Sequence, residues 1–312
     1  MDLATSSPAS TYTDALVLKN VTKRFGDFVA VDNLSLNIPK GSIYGFLGPN
    51  GAGKTTTIRM VMSIFYPDEG EIQVLGNHKG EDVKDRLGYL PEEKGLYKKM
   101  KTAEIVAYFG KLKGMDSSTA KIKARELLTQ YGLGDWLDKK CETMSKGMGQ
   151  KVQLLGTLIH DPELVILDEP FSGLDPVNME VMRDTIRSFK EQSRTVIFST
   201  HVMAQAEELC DYIFLINKGK KVIDGPLAEV RGSGDKGIKI DYDGDGSILH
   251  RLPGVTRIND AGKSAELFLE PGGDPQEILA VLAGKLTIRK FDLSDPSLHE
   301  IFIRAVGGST DE

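Results

Sequence analysis

The chain has 312 residues, 40% of them hydrophobic and 27% charged, with a formal net charge of −6. That apolar content excludes global disorder, the acidic balance argues against a sequence-independent nucleic-acid binder, and no run approaches the roughly 18 consecutive apolar residues of a membrane helix. The two cysteines, Cys141 and Cys210, match no metal or redox spacing and read as reduced thiols of a soluble chain.

Residues 1–14 are rich in Ser, Thr and Ala without a basic stretch followed by an apolar one, and are expected to be a disordered leader rather than a signal peptide. Leu16–Leu18 and Leu34–Ile38 read as strands, and Ser42–Leu47 as a strand that runs straight into a glycine loop. Thr55–Ser63 then has helical spacing, and Pro67–Gly70 turns the chain into a strand at Glu71–Leu75. Between about 98 and 162 the pattern is helical: Thr102–Lys113, Ser117–Tyr131 and Ser145–His160 carry apolar residues three and four apart. Buried strand patterns return at Leu164–Leu167, Thr195–Ser199 and Tyr212–Ile216, alternating with a helix at Pro176–Glu191. The expected class is therefore α/β, a domain over 15–230 with a parallel core sheet, an antiparallel β part and a helical insertion. Arg231–Gly237 reads as a linker. A small α+β domain over 238–306 follows, with strands at Ile238–Tyr242, Ala265–Leu269 and Leu286–Leu293, helices at Pro275–Leu282 and Ser297–Val306, and a tail at 307–312.

The glycine loop is Gly48-Pro49-Asn50-Gly51-Ala52-Gly53-Lys54-Thr55. Such a loop between a strand and a helix wraps backbone N–H groups around a phosphate at the helix N-terminus. Lys54 is expected to reach the β- and γ-phosphates of a nucleotide and the Thr55 hydroxyl to ligate Mg²⁺, with Thr56 in the same contact set. Leu164-Val-Ile-Leu-Asp168-Glu169 is a buried strand ending in two carboxylates. Asp168 is suited to hold the metal and Glu169 to polarise an attacking water.

With Met144-Ser145-Lys146-Gly147-Met148 placed just before that strand, residues 16–225 resemble the nucleotide-binding subunit of an ATP-binding-cassette (ABC) transporter, a P-loop ATPase fold. The resemblance implies ATP and Mg²⁺ as cofactors and a head-to-tail partner cassette, in a homodimer or a heterodimer. Ser145 and Gly147 would then act on the partner's nucleotide, while Ser145 also reads as a simple helix cap. It further implies that Phe25 stacks on adenine, in preference to Phe28, that Ser172-Gly-Leu-Asp175 crosses the dimer interface, and that His201 contacts the γ-phosphate. Two positions depart from the family pattern: Glu92 stands where a metal-touching Gln is usual, and the signature has Lys146 and Met148 in place of Gly and Gln.

The function expected is an ATPase subunit at the cytoplasmic face of the membrane that powers export through a separately encoded permease, with no direct nucleic-acid partner. Export is suggested by the likeness of Gly88–Tyr97 and of the C-terminal domain to exporter-type subunits. The segment Glu92–Lys101 is the expected permease docking surface. The alternative is a soluble ABC ATPase acting on ribosomes or nucleic acid. The 91 positions from Lys54 to Ser145 (145 − 54) leave no room for the long coiled coil of DNA-repair relatives. A phosphate-loop kinase or GTPase would leave Ser145, Asp175 and His201 unexplained. Asp241-x-Asp243-x-Asp245-Gly246 copies the start of a calcium loop, but Leu252 stands where a bidentate Glu is needed, so a hairpin turn is expected there.

Overall fold

The computed structural model describes residues 13–78, 80–92, 95–232, 237–270, 272–294 and 296–307, and the chain divides into two units between Asp224 and Gly225. Most of the expected leader and linker, and the tail beyond Gly307, lie outside the described residues.

In the first unit, β1 (Asp14–Phe25) and β2 (Phe28–Pro39) form a hairpin closed by Gly26 and Asp27, with Phe25 opposite Phe28. Gly26 lies at φ +58°, in the left-handed region that such a tight turn needs. The chain continues through β3 (Ile43–Leu47), α1 (Lys54–Val61) and β4 (Glu69–Val74), and β4 pairs on the other side of β1. Both hairpin strands outrun their apolar stretches, because pairing holds the polar half of β1 as well as the apolar one.

After β5 (Leu87–Leu90) comes the helical block: α2 (Thr102–Leu112), α3 (Ser117–Gln130) and α4 (Lys146–Leu158). Its three helices close around their own core of Ile105, Val106, Ala124, Leu128, Val152 and Leu155, all buried. The chain then returns through β6 (Leu164–Asp168), α5 (Pro176–Glu191), β7 (Thr195–Thr200), α6 (Met203–Leu209), β8 (Tyr212–Asn217) and β9 (Lys220–Pro226). The main sheet has the order β5-β6-β7-β3-β8-β9, and its pairs from β5 to β8 are parallel. Every residue of β3, β6 and β7 is buried, which is why these strands read as unbroken apolar runs rather than alternating ones.

Register decides where the functional residues fall. Leu47 lies opposite Thr200, Asp168 opposite Ser199 and Leu90 opposite Leu167. The residues that follow these four strand ends, β3 and the three strands on one side of it, therefore emerge along one edge of the sheet, where ligands bind in open parallel sheets.

The second unit begins with α7 (Leu227–Gly232), so the division precedes the glycine-rich 231–237 segment that composition alone suggests as the linker. It continues with β10 (Gly237–Asp243), a 3-10 helix at Gly246–Arg251, β11 (Val255–Asp260), β12 (Ser264–Leu269), α8 (Pro275–Leu282), β13 (Thr287–Ser294) and α9 (Leu298–Gly307). The sheet order β11-β12-β10-β13 with antiparallel neighbours is that of the split βαββαβ fold, the short 3-10 helix standing in the first helical position. One face packs Ile238, Ile240, Tyr242 and Leu267 against Ile278 and Leu282. On the other, α9 brings Arg304 to 5.1 Å from the Phe268 ring.

The Asp241–Gly246 segment is not a hairpin turn. It ends β10 and enters the 3-10 helix, where Asp245 accepts from the Ser247 N–H at 3.0 Å, and Asp243 pairs with Arg289. The reason is topological: β10 pairs with β12 and β13, and the next strand, β11, lies at the far edge. Strands β9 and β11 are absent from the sequence reading because both are largely polar and exposed or half-buried.

Candidate nucleotide-binding and catalytic site

The loop from Gly48 to Gly53 leaves the buried end of β3 and opens α1. A Cβ at Gly48 would sit 2.2 Å from the Ile216 carbonyl oxygen, and one at Gly53 2.6 Å from that of Ala30, so neighbouring backbone claims the space at both positions. Ala52 is buried beneath the loop, while Pro49, Asn50 and Gly51 are exposed on its outer side. The α1 N-cap is Gly53, with no side-chain cap and no acidic residue in the first turn. The opening N–H groups of this helix thus keep their capacity to bind an anion. Thr55 and Thr56 stand half-buried in that first turn.

Lys54 is buried and curls back over the loop, donating to the carbonyls of Gly48 at 2.7 Å and Pro49 at 3.1 Å. Its ammonium lies 4.0 Å from Glu169. Burial lowers its pKa, against the opposing pull of Glu169, Asp168 and Glu92. Glu92 is exposed just beyond β5, so its charge is felt by Lys54 without a direct bond among the described residues.

Asp168, 1% exposed, ends β6. One carboxylate oxygen accepts a short bond from the Ser199 hydroxyl. The other, Oδ2, is buried with no hydrogen-bond partner. An orphaned carboxylate oxygen beside a phosphate loop is what a cation with oxygen ligands would satisfy, so the residues present fit Mg²⁺. Glu169 follows at φ +49°, a strained conformation for a residue with a side chain, and its N–H donates to the Ser199 carbonyl and hydroxyl, each at 3.2 Å. The turn swings its carboxylate to 3.0 Å from Nδ1 of His201, which follows β7 and is half exposed. Lys54, Asp168, Glu169 and His201 are thus brought together on one sheet edge.

Ser145, Gly147 and Asp175 form a second group. Ser145 caps α4, its hydroxyl accepting from the Met148 N–H at 3.2 Å. Gly147 is packed so tightly that a Cβ would meet the Asn178 amide at 2.5 Å. That amide donates to Asp175, the N-cap of α5, at 2.6 Å. Hydrogen bonds from Asn178 hold the Asp175 carboxyl below the usual range. Lys146 reaches over Gly173 of the same loop. Among the described residues no hydrogen bond joins Ser145 or Gly147 to the phosphate loop of their own chain.

Phe25 closes β1 with 45% of its surface exposed, its ring edge-on to Phe65 at 5.5 Å, while Phe28 is more exposed still. Three residues outside the sequence reading support the site: Ser199, which ties Asp168 to Glu169, Asn178, and Gln150, which is buried in α4 and donates to the Pro170 carbonyl. Ser199 and Gln150 carried a legible signal, a polar residue in an otherwise apolar run; Asn178 carried none.

Residues 31–172 match the ABC transporter family model, and residues 225–306 that of the C-terminal domain of DrrA1-3-like ATP-binding proteins. The uncharacterized ABC transporter ATP-binding protein YhaQ of Bacillus subtilis is 43% identical over 94% of this chain and 98% of its own. The bacitracin transport ATP-binding protein BcrA of Bacillus licheniformis is 31% identical over 93% and 97%, and the Nod factor export ATP-binding protein I of Burkholderia lata 32% identical over 93% and 96%. A solved ATP-binding subunit of an ABC transporter superposes with a TM-score of 0.64 at 27% identity, covering 70% of this chain and 92% of its own. A glycine loop too crowded for side chains, paired carboxylates and a histidine on one sheet edge, and a capped signature helix are thus found in a chain that belongs to the ATP-binding subunits of ABC transporters, which are ATPases.

Proposed function

We propose that this chain binds ATP with Mg²⁺ at the α1 N-terminus and hydrolyses it to power export through a separate permease. The observation that carries the reading is the edge cluster: an orphaned Asp168 oxygen, with Glu169 held between Lys54 and His201. Phe25 stacks on adenine, residues 48–56 cradle the phosphates, and Lys54 turns from its loop carbonyls to the phosphate charge. Thr55 and Asp168, with Glu92, hold the metal, which supplies charge neutralisation at the phosphates. Glu169 accepts a hydrogen bond from the attacking water, polarising it, and His201 steadies both that carboxylate and the γ-phosphate.

Ser145, Gly147 and Asp175 lie apart from this cluster in one chain, which supports a role across the interface with a second cassette, identical or different. The first unit holds the cassette, and the second matches the C-terminal domain of DrrA1-3-like ATP-binding proteins. Among the described residues no helix is long and apolar enough to cross a membrane. We read the chain as attached to the cytoplasmic face of a membrane through its permease. Export is supported by the likeness to the Nod factor export protein, and transport by the likeness to BcrA. For docking, a cavity of about 350 Å³ beside the expected Glu92–Lys101 segment is lined by Tyr89, Leu90, Pro91, Gly95 and Phe109, a form suited to a permease helix; Glu93 and Lys94 of that segment lie outside the described residues.

The test is affinity purification of the Glu169→Gln protein with ATP from gently solubilised native membranes. A co-purifying polytopic membrane protein is expected. Ribosomes or nucleic acid without one would refute the transport reading.

A further inference from the structure

Two lysine-bearing segments far apart in sequence meet on the surface of the helical block. Lys98, Lys99 and Lys101 lead into α2, and Lys139 and Lys140 precede the turn that leads to α4. An antiparallel bridge pairs Lys101 with Lys140, flanked by bonds from the Thr102 N–H to the Lys139 carbonyl, from Cys141 to Met100 and from Glu142 to Lys98, each 3.0 Å. All five lysines are exposed.

Their charges are poorly matched locally. Lys140 has Glu142 at 3.7 Å, Lys139 lies 4.2 Å over the Trp136 ring, and among the described residues no carboxylate is within 4.0 Å of the ammonium of Lys98, Lys99 or Lys101, although Glu104 accepts from the Lys101 backbone N–H at 3.3 Å. Other lysines of this unit do have acidic partners, as in Lys23–Asp68, Lys123–Asp161 and Lys190–Asp211, and what sets these five apart is that two segments distant in sequence bring them onto one surface. A concentrated positive patch on a chain of net charge −6 is a directional feature. The patch also borders the groove assigned to the permease: exposed Tyr97 packs edge-on to Tyr108 at 5.9 Å, and Tyr108 lies beside Phe109 of the groove wall at 6.2 Å.

We propose that these five lysines seat the cassette on the anionic phospholipid headgroups that surround its permease. The inference rests on the reading that the adjoining groove takes the permease, which turns this face toward the bilayer. The composition favours lipid over an acidic protein segment or nucleic acid. The five cations are all lysine, flexible point charges suited to a mobile array of phosphates, with none of the arginine forks that fix bidentate partners. Exposed Tyr97 at its margin is of the type that settles at a membrane interface. The acidic remainder of the chain is repelled by the same surface, so the patch also sets orientation.

The experiment is sedimentation of the full chain with vesicles of phosphatidylcholine alone or mixed with phosphatidylglycerol, at low and high salt. The wild type is expected to bind only the phosphatidylglycerol vesicles and to release them as salt rises. Replacing all five lysines by glutamine should weaken that binding about a thousandfold or more, at roughly fivefold per lysine, and replacing them by arginine should preserve it. None of the five is assigned to the nucleotide, while Lys98, Lys99 and Lys101 fall in the segment assigned to the permease, so an unchanged circular dichroism spectrum and melting temperature certify the folded state. Indifference of the wild type to phosphatidylglycerol would overturn the proposal, as would equal binding by the glutamine variant. So would cross-linking of these lysines only to an acidic permease segment with vesicle binding unaltered. Failure of the transport reading is separately visible, as persistent vesicle binding by a protein that captures no membrane partner.

Discussion

The starts of α1 and α4 are both implicated in phosphate binding, yet they are finished in opposite ways. At α1 the cap is a glycine without a side-chain acceptor, and the neighbouring ammonium of Lys54 is parked on loop carbonyls. At α4 the Ser145 hydroxyl already satisfies the Met148 N–H, and Gly147 and Asn178 lock the turn against α5. The first end is incomplete without an anion and sits beside the hydrolytic carboxylates; the second is complete as a piece of folded protein. On the proposed reading, one chain binds a nucleotide through α1, whereas α4 would act on one only when another cassette presents it.

The strongest way to probe this difference is Glu169→Gln. Hydrolysis should fall by roughly a hundredfold to ten-thousandfold with ATP affinity nearly unchanged, and gel filtration should show an ATP-dependent dimer. Retained turnover would remove Glu169 from the chemistry. Lys54→Ala should next weaken ATP binding by about tenfold to a hundredfold, since it deletes a charge-assisted contact worth about 1.5–3 kcal/mol. Wild-type affinity by calorimetry would break the assignment of α1. Glu92→Gln removes a charge that raises the Lys54 pKa, and basal hydrolysis should stay within about tenfold of wild type, or ~1.4 kcal/mol of barrier. Complete loss would move Glu92 into the reaction itself.

Smaller effects sharpen the contrast. Ser145→Ala should cost about 1 kcal/mol of stability through loss of the cap while leaving nucleotide affinity of the monomer unchanged, and Ser145→Asp should restore the stability. A drop in monomer affinity would mean that α4 serves its own chain's site. The smallest signal concerns His160, half-buried beside the docking groove, where burial pushes its pKa down to about 4 and Nδ1 is left without a partner. Because the folded pKa lies below the unfolded value, the unfolded chain takes up the proton first. Stability should therefore decline as pH falls from about 6.5 toward 4. In His160→Gln, urea unfolding over that window should show a flatter pH dependence.

Much of this site was legible because its residues are constrained locally. A glycine loop after an apolar strand, and two carboxylates ending another, are patterns of adjacent residues, and each fell on the element expected. The helical insertion was visible for the same reason, through apolar spacing that closes a core of its own. Residues that work through another segment gave weaker signals. Ser199 and Gln150 stood out only as polar intrusions in apolar faces, and Asn178 looked like any exposed residue of a helix first turn. The Asp241–Gly246 segment misled because turn chemistry reports that the chain bends, without saying which strand it will meet.

The sequence by itself determined the nucleotide loop, the paired carboxylates, the alternation of strands and helices that makes a parallel sheet, and the family pattern that these compose. Those follow from backbone preference and short-range periodicity, which act between near neighbours. Only the tertiary structure decided that Glu169 stands between Lys54 and His201, that one Asp168 oxygen is left orphaned, and that Lys98, Lys99 and Lys101 share a surface with Lys139 and Lys140. Each of these depends on strand register or on a bridge between distant segments. The energy that fixes such pairings comes from burial of the whole sheet and helical block rather than from the residues that the pairing aligns.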